Sequence, residues 1–276
     1  MLLASLSLGL LIFVSSTGIV NGAVEGKSYY FTTSQIQTYE ENGYVLVNTR
    51  SDAWFKVDAL NITRDILYYD FEGYHWSEGT EVEYQSEAIH FQDNLVYFQL
   101  NTYDPDNDSY SSPPSITVYP TDVHYAPGRY VFVNPTWSTH ETDWDASVDD
   151  VEAMSSVASS TFSAPGDGTF SFTIIVDIER IWEIADYPEN ATGTTRYDFS
   201  ASYDDDGVLN SYSLISTTSL SNENFTCKLT NTWQVFRASG PGAGTGTTLD
   251  VGLLALGVAI PVSLLVGLVI GKIKWD

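Results

Sequence analysis

The sequence has 276 residues with 36 acidic and 11 basic side chains, which gives a formal net charge of −25. So negative a chain repels the phosphates of nucleic acids and anionic lipid head groups, which argues against nucleic acid as a partner. Its single cysteine, Cys227, excludes an intramolecular disulfide, so stability must come from a hydrophobic core.

Residues 1–23 predict a secretory signal peptide. An apolar run, Leu8–Val14, is followed by small and polar residues up to Ala23, which is typical of a leader that is cleaved near its last residues. No basic residue precedes the apolar run. The alternative is an uncleaved membrane anchor, for which this run is short.

Residues 24–237 predict one β-rich extracellular domain. Short runs of alternating apolar residues at 43–48, 53–59 and 96–100 predict strands in its first half. The chain has 18 Tyr, 7 Trp and 13 Phe, and strands favour aromatic residues. We therefore expect most of them to fill the core, with a ligand-stacking platform as the alternative.

An acidic segment, YDPDNDSYSS at 103–112, has the spacing of a calcium loop. Asp104, Asp106 and Asp108 form the D-x-D-x-D pattern. Ser109 stands where the sharp turn requires glycine, and Ser115 stands where a bidentate glutamate belongs. A polar loop is therefore favoured over a weak calcium site, and no other cofactor or metal is expected.

One amphipathic helix is predicted at 139–160. Its apolar residues recur at spacings of three and four, which gives one stripe along a helix, and Thr142 is the expected N-cap before an acidic first turn. The stripe consists of Trp144, Val148, Val151, Met154 and Val157. We expect this stripe to pack across a sheet face rather than to bind a partner.

The second half of the domain predicts long strands joined by a hairpin. Apolar residues alternate from Phe170 to Ile184, from Tyr197 to Tyr203 and from Phe225 to Val235. Asp204, Asp205 and Asp206 precede Gly207 between two such runs, and Asp-Gly between alternating runs is a strong hairpin signal. Because neighbouring side chains at a hairpin tip diverge, a turn is favoured over a metal site.

Together these elements predict a mainly β fold. We expect a curled antiparallel sheet with one amphipathic helix inserted between an N-terminal and a C-terminal set of strands. The two sets form either one sheet, a half-barrel, or two small sheets packed as a β-sandwich. A C-terminal transmembrane helix completes the predicted architecture.

No motif in the sequence predicts catalysis. None of the histidines pairs at zinc-ligand spacing, and the chain has no G-x-S-x-G elbow and no P-loop. The histidines are His75, His90, His124 and His140. Cys227 lies on the apolar side of its strand, so we expect a buried side chain rather than a nucleophile. The sequence therefore favours a protein that is not an enzyme.

Four N-x-[ST] sequons are candidate N-glycosylation sites. Asn107 and Asn190 fall in polar segments, where we expect loops, and Asn61 and Asn224 lie beside predicted strands. Glycans at the first two are therefore favoured over glycans at the other two.

The C-terminal region predicts a membrane anchor. Residues 238–249 are rich in glycine and predict a flexible stalk. Residues 250–271 are almost free of charge and long enough to span a bilayer. Lys272 and Lys274 follow in the tail at 272–276, so the positive-inside rule predicts a single-pass protein with its tail in the cytoplasm.

Two segments resemble the choice-of-anchor S surface proteins, found chiefly in archaea of the Asgard type. One carries Asn134, Pro135 and Trp137 before the predicted helix, and the other is the hairpin from Tyr203 through Asp204 and Gly207 to Leu209. The resemblance covers most of residues 28–236 and implies an anchored extracellular β-domain. It implies no activity and no catalytic residue.

These observations predict a membrane-anchored surface protein with a structural, adhesive or interaction role. Its expected partners are the membrane and other surface proteins or glycans. The first alternative is a binding module with an apolar cavity for lipid under the curled sheet. The second is an extracellular polysaccharide hydrolase, which requires two converging carboxylates.

Overall fold

The computed structural model describes residues 24–63, 65–75, 80–101, 114–120, 128–178 and 191–240. The predicted signal peptide, most of the stalk, the predicted membrane helix and the tail lie outside these residues. Within the described ranges, no helix is both long and apolar enough to cross a bilayer.

The prediction of a mainly β fold is confirmed. Nine strands form one antiparallel sheet in the order β4-β3-β2-β1-β11-β10-β9-β8-β7, and β5 pairs with β6 in a separate two-stranded sheet. The first strands are β1 (Ser28–Glu41), β2 (Tyr44–Thr63), β3 (Ile66–His75), β4 (Thr80–His90), β5 (Tyr97–Asn101) and β6 (Ser115–Tyr119). The later strands are β7 (Val157–Ser163), β8 (Thr169–Ile178), β9 (Thr192–Tyr203), β10 (Leu209–Ser221) and β11 (Thr226–Ala238).

One face of the large sheet carries the core. In β8, every second residue from Phe170 to Ile178 is buried, as the alternating pattern predicted. The same alternation in β9 places Phe199 against Phe172, with 4.9 Å between their ring centroids. The predicted continuation of this strand to Trp182 and Ile184 lies outside the described residues.

Strand β5, the helix that carries Trp144 and the segment 128–132 cover this face. The ring of Phe98 of β5 packs at a tilt against Phe172, with 4.7 Å between centroids, and meets Trp144 edge-on at 5.0 Å. A single helical turn, α1 (Gly128–Val131), leads to Phe132, which contacts Tyr29 of β1 and forms an isolated bridge with Val208. The core is therefore built from aromatic side chains on both sides.

The predicted helix exists but is shorter than expected. After a 3₁₀ turn (Trp137–Thr139), α2 runs from Glu141 to Glu152, so the prediction of a helix to residue 160 is wrong. The residues after Met154 instead form β7, which pairs with β8. Serine and threonine are weak helix formers, and the free edge of β8 offers their backbone a ladder of hydrogen bonds.

The predicted apolar stripe packs against the core, although Met154 lies beyond the end of α2 and Val157 lies on β7. Trp144 and Val151 are buried, and Val148 and Met154 pack against the core from its border. The predicted cap is wrong, because the N-cap residue is His140, which makes no side-chain cap bond, and Thr142 lies inside the first turn. The ring of His140 is instead directed into the core.

Candidate functional site

The most unusual surface of the domain is an open stretch of strand β2. Strand β1 pairs with β2 from Tyr44 to Asp58, but β3 pairs with β2 only from Phe55 to Thr63. Residues 44–54 therefore have a neighbour on one side and no paired strand on the other among the described residues. Such an edge presents unpaired N–H and C=O groups, which form a template for another strand.

The end of this edge is apolar and exposed. Tyr44, Val45, Leu46 and Val47, which we call the β2 tip, are 73%, 57%, 58% and 37% exposed. The sequence correctly predicted a strand here, and the side chains on both faces of this run are exposed. The tip lies beyond Phe55, where the pairing with β3 begins, and among the described residues no strand pairs with its outer edge.

The β2 tip is held firmly although it is exposed. Asn42 and Gly43 both have positive φ angles, 48° and 83°, as a tight hairpin between twisted strands requires. The backbone N–H of Asn42 donates to the carbonyl oxygen of Thr226 at 2.8 Å, and the Asn42 side-chain oxygen accepts from the Thr226 N–H at 2.9 Å. These two bonds fix the tip to the start of β11.

The open edge is also neutral within a very acidic chain. Between residues 42 and 54 the only charged residues are Arg50 and Asp52. The Arg50 Nε donates to an Asp52 carboxylate oxygen at 2.8 Å, and both side chains are largely exposed. This segment therefore lacks the negative charge by which the rest of the surface repels other acidic proteins.

A second candidate, the three consecutive aspartates, is a structural hairpin and not a cation site. One Asp204 carboxylate oxygen accepts the N–H groups of Asp206 and Val208, and the other accepts from the Arg237 guanidinium at 2.5 Å. Asp206 lies 3.5 Å from the Lys27 ammonium, and Asp205 is exposed. The three carboxylates face different partners, as the turn prediction required.

Replacing Asp204 by alanine is expected to lower the free energy of unfolding by about 2 kcal/mol, because two turn N–H groups and Arg237 lose their acceptor. Asp205→Ala is the matched control and is expected to change it by less than about 0.5 kcal/mol. Denaturant unfolding of the two variants measures both values. Equal effects, or a rise in the melting temperature with calcium that Asp204→Ala abolishes, would contradict the structural role.

His140 forms the most buried polar network of the described residues, and sequence reasoning missed it. Its ring is 1% exposed. The Val96 N–H donates to His140 Nδ1 at 2.9 Å, so the proton is on Nε2, which donates to the Asn134 carbonyl oxygen at 2.6 Å. Burial lowers the pKa of His140, against the opposing effects of the Asn134 bond and of Asp143.

The other predicted sites fall into three groups. The calcium loop at Asp104, Asp106 and Asp108 and the sequons at Asn107 and Asn190 lie outside the described residues. Asn61 and Asn224 are exposed. Cys227 is buried, and burial raises the pKa of its thiol, so the expectation of a buried side chain is confirmed.

The described part of the chain has no candidate metal-binding cluster. No group of three or more His, Cys, Asp or Glu residues there could hold a metal ion. Comparison with known proteins adds no further constraint, because no protein family model and no curated protein matches the sequence.

Proposed function

We propose that this chain is a membrane-anchored extracellular protein with an adhesive or interaction role and no catalytic activity. The observation that carries the proposal is the open edge of β2 with its exposed apolar tip. Isolated exposed apolar side chains are ordinary, but a contiguous apolar patch is typical of an interaction site. Natural edge strands usually carry charges or bulges that limit such contacts; this edge has a bulge at Leu46 but no charged residue at 44–47.

The chemistry of the edge suits an extended segment of another protein. A partner strand that pairs with residues 44–54 gains main-chain hydrogen bonds, and apolar side chains at the β2 tip add contact area. Because the β1–β2 hairpin and β11 already hold the edge in place, binding costs little conformational entropy at the edge. This preorganisation favours binding by strand addition.

The position of the β2 tip fits a protein that faces away from a membrane. Ala238 at the end of β11 pairs with Tyr30 near the start of β1, whereas the tip adjoins the far end of β1. The 14 residues of β1 span about 45 Å. With the predicted stalk at 238–249 and membrane span at 250–271 after Ala238, the tip lies at the end of the described sheet that is farther from the proposed membrane.

We further propose that the large sheet is curled around its covering residues. In a flat sheet, β2 and β10 would lie about 14 Å apart, but the Tyr130 ring contacts Phe55 on β2 at 6.2 Å and Tyr212 on β10 at 6.1 Å. Aromatic rings thus fill the concave side around Tyr130. This filling favours an interaction role over the lipid-carrier alternative.

Two other observations agree with an extracellular, non-enzymatic role. Asn61 and Asn224 are exposed, so glycans attached there would meet no steric obstacle from the described residues. Among the residues whose side-chain burial the structure describes, no aspartate or glutamate is buried. The resemblance to choice-of-anchor S surface proteins stays a prediction that fits this role.

The experiment uses full-length protein in phosphatidylcholine vesicles. Cell envelopes of the source organism, prepared without this chain, are the immobilised probe. Vesicles that carry the wild-type protein are expected to bind the envelopes, and Leu46→Lys is expected to reduce binding about tenfold, because an edge lysine blocks strand addition. Retained protein is measured by fluorescence of a lipid dye.

The control is Leu60→Lys. Leu60 is a 40% exposed leucine of the same strand in the part that β3 already covers, so this variant is expected to bind as the wild type does. Equal loss in both variants, or no loss in Leu46→Lys, contradicts the edge as the binding site. The protein is also expected to float with its vesicles in a density gradient, and protein that stays behind contradicts the anchor.

A further inference from the structure

We propose that Asn61 carries an N-linked glycan and that the first sugar of this glycan packs on the exposed ring of Tyr68. The inference rests on the extracellular location in the proposed function, because N-x-[ST] sequons are modified in secreted and surface proteins. Its evidence is the register between β2 and β3 and the exposure of the side chains that face each other there.

Asn61 and Tyr68 face each other directly on the side of the sheet that is turned away from the core. A bulge at Leu60 brings Asn61 opposite Tyr68, and the next pair is Ile62 with Leu67. Leu67 is completely buried, so the neighbouring pair points to the other face, because side chains alternate along a strand. Facing side chains on one face have Cβ atoms about 5 Å apart.

Both residues that define the sequon are accessible. Asn61 and Thr63 are exposed and lie on the same face of β2. A host oligosaccharyltransferase would transfer the glycan from a lipid-linked oligosaccharide phosphate. The bond between sugar C1 and the phosphate oxygen breaks, and C1 bonds to Asn61 Nδ2. The amide nitrogen gives up one proton, and the lipid phosphate leaves with the electron pair of the broken bond.

The surroundings of Tyr68 leave room for a sugar. The Tyr68 side chain is 37% exposed, and its neighbour on the other side is Ala88 of β4, which is also exposed. The methyl group of Ala88 is too short to cover the tyrosine ring. A sugar ring that extends from Asn61 would lie over this ring, and its C–H groups would gain dispersion contacts while covering apolar surface.

The covalent link makes this small contact favourable. A free sugar would lose translational and rotational freedom when it binds to a single ring. A glycan bonded to Asn61 has already lost this freedom, and the effective concentration of its first sugar beside Tyr68 is high. Because β3 pairs with both β2 and β4, the backbone of Tyr68 is held in position before the sugar arrives.

The sequon at Asn224 provides the matched control. Asn224 lies in the turn between β10 and β11, whose pairing ends at Ser221 and Thr226, so among the described strands no residue faces it. Phe225, the next residue, is partly buried against the cluster that contains Cys227. A glycan at Asn224 is therefore expected to extend into solvent.

The first measurement is peptide mass spectrometry of the full-length protein purified from its source organism, with all variants produced in the same host. Most copies of the peptide that contains Asn61 are expected to carry a glycan. Thr63→Ser is expected to retain the glycan and Thr63→Ala to abolish it, because the sequon requires a hydroxyl at this position. An unmodified Asn61 in the wild-type protein overturns the inference.

The decisive measurement is a double-mutant cycle on the melting temperature. Tyr68→Thr removes the ring and keeps a residue that suits a strand. This substitution is expected to lower the melting temperature by about 3 °C more in the wild-type and Thr63→Ser proteins than in Thr63→Ala, because only the first two can lose the sugar contact.

The Asn224 control tests whether the coupling belongs to the glycan at Asn61. The shift caused by Tyr68→Thr is expected to stay within about 1 °C of its wild-type value when Asn224→Gln is also present. Equal Tyr68→Thr shifts in the Thr63→Ser and Thr63→Ala proteins overturn the contact between the sugar and the ring.

Failure of this inference can be told apart from failure of the proposed function. Asn61 and the β2 tip lie at opposite ends of β2, so Thr63→Ala vesicles are expected to bind envelopes as the wild type does. An unmodified Asn61 in protein that floats with its vesicles and binds envelopes overturns the glycan and leaves the proposed function standing. Protein that has no glycan, stays behind its vesicles and binds no envelopes overturns both.

Discussion

Replacing Gly207 by alanine is expected to cost about 3 kcal/mol of the free energy of unfolding, one of the largest effects of any single substitution in this domain. Gly207 has a φ of +76°, and a Cβ built there would lie 2.1 Å from the carbonyl oxygen of Val133. Backbone atoms cannot move aside as a flexible side chain can. The hairpin must therefore separate from the segment that covers the core.

The contact at Gly207 connects two distant parts of the chain. The Val133 N–H donates to the Gly207 carbonyl oxygen at 2.9 Å, and Phe132 forms a bridge with Val208. Separation of the hairpin would break both and loosen the residues that lead into α2. The loss therefore exceeds the backbone strain of a positive φ alone.

Gly43→Ala is the matched control for this prediction. Gly43 has a φ of +83°, and a Cβ at this position would have no other atom within 4 Å, so alanine there is expected to cost only about 1 kcal/mol of backbone strain. Denaturant unfolding of both variants measures the difference. Equal costs would contradict the close approach of Val133 to the hairpin.

The second large effect is expected at His140. His140→Gln is expected to lower the free energy of unfolding by about 3 kcal/mol near neutral pH, because the imidazole ring packs against Trp137 and Phe170. Glutamine lacks this ring and leaves a cavity in the core, and ordering its flexible side chain in the hydrogen-bond network costs further conformational entropy. The control is His90→Gln, since His90 is exposed on β4. We expect that variant to remain within about 0.5 kcal/mol of the wild type.

The effect of His140 depends on pH in a defined direction. In the folded protein burial lowers the pKa of His140, whereas in the unfolded chain the pKa is about 6.5. As pH falls below about 6.5, the unfolded chain binds a proton that the folded protein does not bind, so folding becomes less favourable. This contribution is present above the unfolded pKa and is lost toward the folded pKa.

The stability difference between wild type and His140→Gln is therefore expected to shrink as pH falls from about 7.5 to about 5.5. Unfolding curves at each pH, with the His90→Gln protein in parallel, measure this difference. A difference that stays constant across the range would mean that His140 has an ordinary pKa in the folded protein.

Local signals were sufficient to predict the strands and the hairpin. Alternation in β8 and β9 needs only neighbouring residues, and Gly207 is required by the turn itself. The end of α2 could not be predicted in the same way. The residues from Val157 onward form a strand because the edge of β8 is available, and that edge is a property of the folded sheet.

The exposed β2 tip and the His140 network depend on contacts between residues that lie far apart in the sequence. The exposure of the β2 tip follows from where β3 stops pairing, which no local pattern in residues 44–47 encodes. His140 has its partner Val96 44 residues earlier in the chain. A lone histidine at the start of the predicted helix was the only available signal for this network.

The arrangement of β1 between β2 and β11 has a mechanical consequence. Tension applied after Ala238 and resisted at the β2 tip would run along the strands, because residues 30–41 of β1 pair with residues 227–238 of β11 over their whole length. Such a force shears all hydrogen bonds of the ladder together instead of peeling them one by one. This ladder would therefore resist a pull directed along the strands, and it would yield far more easily to a force applied across them.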